Sequence, residues 1–331
     1  MMANIDDVVR VSGASRSTVY RYFSGKSVKA STKEAINQAV KELNFSVNKL
    51  KTKRNYVIQI RIRGSRSASP EWKYLRIFNG STEALNSMID TLDEYGATVQ
   101  VVRGDSPVSP DKIDGAIIMI KDINEESHDI EKLREQGIPF VMFYRQFDES
   151  DISFITCDNR QACYDITKYF VERGHKRIAI CGDINAKRNS RQKFEGYAKC
   201  LEDNGIEVDA DLICKESIIE DAQEWLATRL KKKNRPTAVI AMNDTYSICL
   251  SDAIKSCGLK IPEDVAVFGM DNSDATSIYE PSLSSVSIPF SEMGRTSVDI
   301  LIELIENPGV KSIKKYADYK LIPRKSSEID A

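Results

Sequence analysis

The first forty-five residues carry apolar positions at helical spacing in three short runs. Ile5, Val8 and Val9, followed by Ser12, predict a helix over about 5–11, with Asn4 as its N-cap and Gly13 as its stop. Ala14 and Ser15 make a turn of helix-turn-helix length, and Ser15 caps a second helix to about Phe23, in which Val19 and Phe23 face inward. A third helix is expected to open at Ser31, where Ser31-x-x-Glu34 has the form of a capping box, and to carry Ile36, Val40, Leu43 and Phe45 toward the first two. These helices can share one small core. The second helix then leaves Arg16, Ser17, Tyr20 and Arg21 on its outer side. Two guanidinium groups beside a hydroxyl and an aromatic suit the major groove of DNA, where arginine donates to guanine O6 and N7 together.

From Tyr56 the pattern changes to strand and helix in alternation. Strands are expected near 56–62, 98–102, 116–120, 140–143, 177–181, 237–241 and 265–269. Helices are expected near 71–95, 125–136 with Gly137 as C-cap, 160–173, 190–204, 219–233, 244–257 and 291–306. Such alternation predicts an α/β body of parallel sheets with helices on both faces. Between the strands ending near Val102 and starting near Gly115, the dozen residues 103–114 include Pro107 and Pro110. That is too short for an ordinary crossover helix, so an extended or single-turn crossover is expected, with that sheet face partly open or covered by a second subunit.

Charge divides the chain at the same place. Residues 1–54 hold eleven Lys and Arg against four Asp and Glu, a balance of +7, while the remainder carries −9, so the overall −2 conceals a basic head on an acidic body. A basic module joined to an acidic one is the footprint of polyanion binding confined to the head. With 331 residues and 41% hydrophobic content, the chain is long enough for a head and a two-lobed body. No run of eighteen apolar residues occurs and the N-terminal residues do not read as a signal peptide, so a cytoplasmic protein without membrane attachment is expected. Seven scattered cysteines without a C-x-x-C read as reduced core residues. Two histidines, His128 and His175, offer little material for a zinc site or a histidine-based catalytic apparatus, and no metal or cofactor is expected. The Gly174-His175 step reads as a helix stop leading into a strand.

Several stretches resemble the lac-repressor (LacI/GalR) family of bacterial transcription regulators. In the head they are Asp7-Val8-Val9, Gly13-Ala14-Ser15-Arg16-Ser17-Thr18-Val19-Tyr20-Arg21, Thr32-Lys33-Glu34, and Leu43-Asn44-Phe45 with Asn48. In the body they include Gly174-His175-Lys176-Arg177, Phe194-Glu195-Gly196-Tyr197, Asn243-Asp244, the run from Ile261 to Asp271, and Glu292-Met293-Gly294-Arg295, so nearly the whole chain is covered. The resemblance implies a helix-turn-helix headpiece over 1–47, a hinge over 48–55, and a periplasmic-binding-protein-like body over 56–331 with two Rossmann-like lobes. Three crossings are expected near Asp158, Pro289 and Leu321, giving an N-lobe of about 56–157 and 290–320 and a C-lobe of about 158–289 and 321–331. It also implies a homodimer on a near-palindromic operator.

Carried over by position, the family's base-reading residues match Arg16, Ser17 and Arg21, and Thr18 matches a position that supports the turn and touches phosphate. Ser15, Tyr20, Lys29, Thr32 and the hinge residues Asn48, Leu50 and Arg54 complete the expected DNA contacts. The family's hinge wedges a leucine into the minor groove six residues past the asparagine, and here that position is Arg54. Either Leu50 inserts instead, or Arg54 and Lys53 lie in the groove as cations, or the stretch is only a basic linker.

Ligands of open α/β sheets bind beyond the carboxyl ends of the strands. Those ends carry Tyr144 with Arg145, Asn243 and Asp271, an amide, a carboxylate and a guanidinium suited to a hydroxyl-rich ligand such as a sugar. Trp72 either stacks on a sugar ring or is core, and Asp158 either lines the cleft or caps the helix after it. Three residues before Gly196, where the family has an effector-binding arginine, stands Lys193, with Arg191 two residues earlier, and Ser217 falls where many members have an aromatic. Three functions follow. One is a regulator answering to a small effector, most simply a carbohydrate. A second is a regulator answering to a protein partner, as in the catabolite-control branch of the family. The third is a Rossmann-like enzyme, against which stands the absence of any G-x-G-x-x-G, P-loop or G-x-S-x-G motif.

Overall fold

The computed structural model describes residues 5–23, 27–43, 55–63, 80–103, 113–120, 126–147, 151–182, 184 and 188–328. The head is three helices, α1 (Ile5–Ser12), α2 (Arg16–Phe23) and α3 (Ala30–Glu42), around buried Ile5, Val8, Val19, Ile36 and Ala39. Gly13 ends α1 at φ 66°, a left-handed conformation that glycine adopts without steric cost, and its N–H bonds the Val9 carbonyl at 3.0 Å. Ser15 caps α2 as expected, its Oγ accepting from the Thr18 N–H at 3.1 Å. The capping box expected at Ser31 and Glu34 is not made. The helix starts one residue earlier, with Lys29 at the N-cap and no side-chain cap bond, because the Lys33 N–H already reaches the Lys29 carbonyl at 2.9 Å. Ser31 therefore lies inside the first turn. Asn4, Phe45 and the hinge residues 48–54 fall outside the described residues.

In the body, β1 (Val57–Arg63), β2 (Thr98–Arg103), β3 (Gly115–Ile120), β4 (Phe140–Phe143), β5 (Ser153–Cys157) and β11 (Lys314–Ala317) form a parallel sheet in the order β11-β5-β4-β3-β1-β2. A second parallel sheet has the order β7-β6-β8-β9, from β6 (Ile178–Cys181), β7 (Ile213–Cys214), β8 (Ala238–Ala241) and β9 (Ala266–Phe268). Helices α4 (Gly80–Tyr95), α5 (Glu126–Glu135) and α11 (Phe290–Glu306) accompany the first sheet. With the second go α6 (Asn159–Glu172), α7 (Arg188–Asp203), α8 (Ile219–Leu230), α9 (Asp244–Ser256) and the short α10 (Asp274–Ile278). The chain passes between the sheets after β5, after β10 (Ser285–Ser287), and between β11 and β12 (Lys320–Ile322), with β10 and β12 paired antiparallel.

The strands missing from the sequence pattern are β5, β7, β10, β11 and β12. Each has five residues or fewer, and β11 is an exposed edge strand whose two lysines hide it from any apolar count while guarding the edge against further pairing. Of the long helix expected over 71–95 only Gly80–Tyr95 is described, and most of the short crossover, residues 104–112, lies outside the described residues.

One apolar cluster runs through both lobes, joining Ile58, Met88, Leu92 and Ile117 on one side to Ile178, Ile240, Phe268 and Met270 on the other. Fully burying one such side chain contributes about 1.5–3 kcal/mol. Six of the seven cysteines are buried and all are free, as the pattern predicted. Two glycines set helix spacing. A Cβ on Gly196 of α7 would lie 1.9 Å from the Arg160 carbonyl oxygen of α6, and one on Gly294 of α11 would lie 2.5 Å from the Ala84 oxygen of α4.

Candidate functional site

The expected DNA-reading residues do gather on α2, but that face is covered. The Arg16 guanidinium bonds Asp6 at 2.9 Å within the head, and it reaches Glu306 at 3.1 Å and Glu303, both on the last turn of α11. Arg21 pairs with Glu94 on α4 at 3.2 Å. The Tyr20 hydroxyl donates to Glu306, and its ring packs on Tyr95 with centroids 4.8 Å apart. The cause is charge and shape together: the acidic end of α4 and α11 meets the basic face of α2. Ser17, expected among the base-reading residues, is covered as well. It is 1% exposed, and its hydroxyl shares a hydrogen bond with Ser15 at 3.0 Å. Ser15 also shares one with Thr18 at 2.7 Å, so the three hydroxyls brace the turn. Lys29 is exposed and Thr32 half-buried at the start of α3. Asn48, Leu50 and Arg54 lie outside the described residues.

The second site is the cleft between the sheets. Tyr144 follows β4 and Asp271 and Asn272 follow β9. These three are the non-glycine residues at positive φ among the described residues, at 57°, 110° and 55°. Strained backbone of this kind collects where a ligand or a switch is held. Arg324 pins the second turn, donating to the Asn272 side chain and to the Leu283 carbonyl, each at 2.6 Å. Arg145 is buried beside Tyr144. Lys193 is also buried, and its Nζ donates to the Met242 carbonyl at 2.7 Å, next to Asn243.

Electrostatics place these groups together. Burial pushes the Tyr144 hydroxyl well above its ordinary value, with Cys157 and Asp271 adding to it. Burial, then Asp271, raises the Asp244 carboxyl to about 7. Tyr144, Arg145, Lys193, Asn243 and Asp271 are thus one neighbourhood. Asn243 and Asp158 both act as N-caps, accepting from Tyr246 N–H at 3.0 Å and Gln161 N–H at 2.9 Å. Arg191 departs from the expectation. It is exposed, because two residues along α7 turn it about 200° from Lys193. Trp72 lies outside the described residues.

The sequence reading missed two residues here. Asn189, buried at 6% exposure, donates to the Tyr144 carbonyl at 2.9 Å and so bridges the lobes, while its Oδ1 has no hydrogen-bond partner among the described residues. Gln192 bridges likewise to Gln146 at 2.8 Å. The available signal was spacing, since Asn189 and Lys193 are four apart on one helix face. Asp244, fully buried, accepts from Ser285 Oγ at 2.7 Å and from the Ser273 N–H at 2.6 Å. A carboxylate receiving a hydroxyl and an amide organises the Asp271 turn from beneath.

A sequence profile described as "periplasmic binding protein-like domain" matches residues 167–327. The HTH-type transcriptional repressor PurR of Photobacterium profundum is 27% identical, with 98% of each chain covered. Two of the solved structures that share the fold cover nearly the whole chain. The transcriptional regulator CelR in complex with cellobiose superposes with a TM-score of 0.72 at 23% identity, covering 98% of this chain and all of that one. The lac repressor dimer bound to operator and the anti-inducer ONPF gives 0.69 at 22% identity, covering 99% of each. No helix among the described residues is long and apolar enough to cross a membrane.

Proposed function

We propose that this chain, a homologue of lac-repressor-family transcriptional repressors over nearly its whole length, is a homodimeric repressor whose grip on a near-palindromic operator is set by a carbohydrate-like effector in the inter-lobe cleft. The observation that carries the reading is the end-to-end match to a repressor together with a Ser15-capped helix-turn-helix that bears Arg16, Tyr20 and Arg21. Homologues of this kind are regulators rather than enzymes. The head spans 1–47, the hinge 48–55 and the two-lobed body 56–331, and the protein acts in the cytoplasm, on DNA.

Recognition works by division of labour. Arg16 and Arg21 supply bidentate donors for base edges, while Ser15, Thr18, Lys29 and Thr32 meet phosphates and fix the register. In the cleft, Asp271 accepts from ligand hydroxyls, Lys193 and Arg145 donate, and the unpartnered Asn189 Oδ1 offers a further acceptor. A ligand there touches both lobes, because Asn189 and Tyr144 come from different ones.

The test has two parts. Selection from a random duplex library with the full chain should return a two-fold-related site, bound with an affinity that falls steeply with added salt as counterions are released. A thermal-shift screen of sugars and sugar phosphates should then find a compound that raises the melting temperature and changes operator affinity. Selected sites without symmetry would refute the dimeric reading. A screen without a hit would move control to a protein partner.

A further inference from the structure

The basic face of α2 and the acidic end of the α4–α11 layer are joined by more than chance proximity. Glu303 and Glu306 sit three apart on the last turn of α11. That position is unfavourable twice over for carboxylates, which repel one another at this spacing and oppose the negative end of the helix dipole. A cation relieves both penalties. Arg16 provides it, its side chain reduced to 10% exposure between the two. Glu306 gathers three donors from separate parts of the chain: Arg16, Tyr20 and, at 2.9 Å, the Tyr56 hydroxyl at the start of β1. The Arg21 pair with Glu94 and the Tyr20 ring on Tyr95 close the contact from the side of α4. These carboxylates occupy the donors of Arg16 and Arg21 that a base edge or phosphate would take.

From this geometry we propose that the α4–α11 surface is a docking site for the chain's own reading helix, holding α2 in a closed form that excludes DNA. The inference rests on the assignment of α2 to DNA made above. Binding DNA then requires undocking, so apparent affinity is the intrinsic affinity multiplied by the open fraction. The same α11 begins at Phe290, whose ring packs edge-on against Tyr144 at 5.2 Å, so one helix touches both the cleft and the dock.

The test uses the full-length chain, a labelled duplex of random sequence, about three helical turns long, and the double variant Glu303→Gln, Glu306→Gln. The control variant Glu83→Gln, Glu292→Gln removes the same total charge, one carboxylate from each of α4 and α11, at positions about 16 Å along the axis from Glu94 and from Glu303. Binding is read by fluorescence anisotropy, and docking by hydrogen exchange of residues 16–23 without DNA. The dock variant should bind the duplex about tenfold or more tightly and exchange faster over 16–23, while the control matches the wild type in both. Unchanged exchange in the dock variant would overturn the docking. An equal gain in the control would reduce the effect to general repulsion of DNA and also overturn it. Faster exchange with no duplex binding by any variant would instead overturn the assignment of α2 to DNA.

Discussion

Gly196→Ala sets two effects of opposite sign against each other at the helix that carries Asn189 and Lys193. Alanine in place of a mid-helix glycine stabilises a helix by about 1 kcal/mol through its propensity. The added Cβ, however, would stand 1.9 Å from the Arg160 carbonyl oxygen, where ordinary contact begins at 3.4 Å, and 3.0 Å from the Tyr164 nitrogen. These neighbours are α6 backbone and cannot rotate away, so α7 must move outward by about 1.5 Å. Overpacking of this kind costs roughly 1–3 kcal/mol, and a backbone obstacle puts the cost at the upper end, so the net effect is destabilising by about 1–2 kcal/mol. A shift of that size also breaks the 2.9 Å bond from Asn189 to the Tyr144 carbonyl, loosening the lobes. Denaturant titration of the variant should show a lower midpoint, and effector affinity should fall with it. Gly309→Ala, where nothing lies within 4 Å of the new Cβ, is the control and should leave both unchanged. Equal or greater stability in Gly196→Ala would mean that α6 and α7 separate freely, and the reasoning from close approach would fail.

Arg21→Ala should weaken operator binding by about 1–3 kcal/mol in a filter or anisotropy titration. Release of its partly exposed pair with Glu94 offsets less than about 1 kcal/mol of that, and an unchanged affinity would remove Arg21 from the reading face. Asp271→Ala should abolish the response of operator affinity to an effector while leaving DNA binding intact, and a failure to fold would make Asp271 structural. Burial and Asp271 hold the Asp244 carboxyl at about 7 against an ordinary 3.8, so in this window the folded chain keeps a proton the unfolded chain has lost. Its contribution therefore falls as pH rises from about 4 to 7, by on the order of a few kcal/mol. Asp244→Asn should flatten that slope in pH-dependent unfolding, and a slope identical to wild type would place the titration elsewhere.

Elements with long apolar periodicity are legible from the order of residues alone. The Ile5–Val8 and Val19–Phe23 spacings, the Gly13 stop and the Ser15 cap specify the head through short-range geometry, and the alternation after Tyr56 specifies parallel sheets. Strand positions also led to Asn243 and Asp271, since strand ends follow from them, whereas Lys193, inside α7, was marked only by the resemblance to the family. The capping box at Ser31 failed because a backbone bond from Lys33 to Lys29 competes with it locally, and nothing in the residue types ranks the two. The remaining features depend on contacts between residues far apart in the chain. The partners of β5 and β11 lie 160 residues apart, so Lys314 beside Phe154 is a product of sheet register and leaves no periodic trace. Asn189 at the lobe junction and Asp244 beneath the Asp271 turn act through contacts with distant strands. The same holds for the face of α2. Its periodicity fixes which side chains share that face, but whether the face meets solvent, DNA or Glu303 and Glu306 depends on where a helix 287 residues away comes to rest.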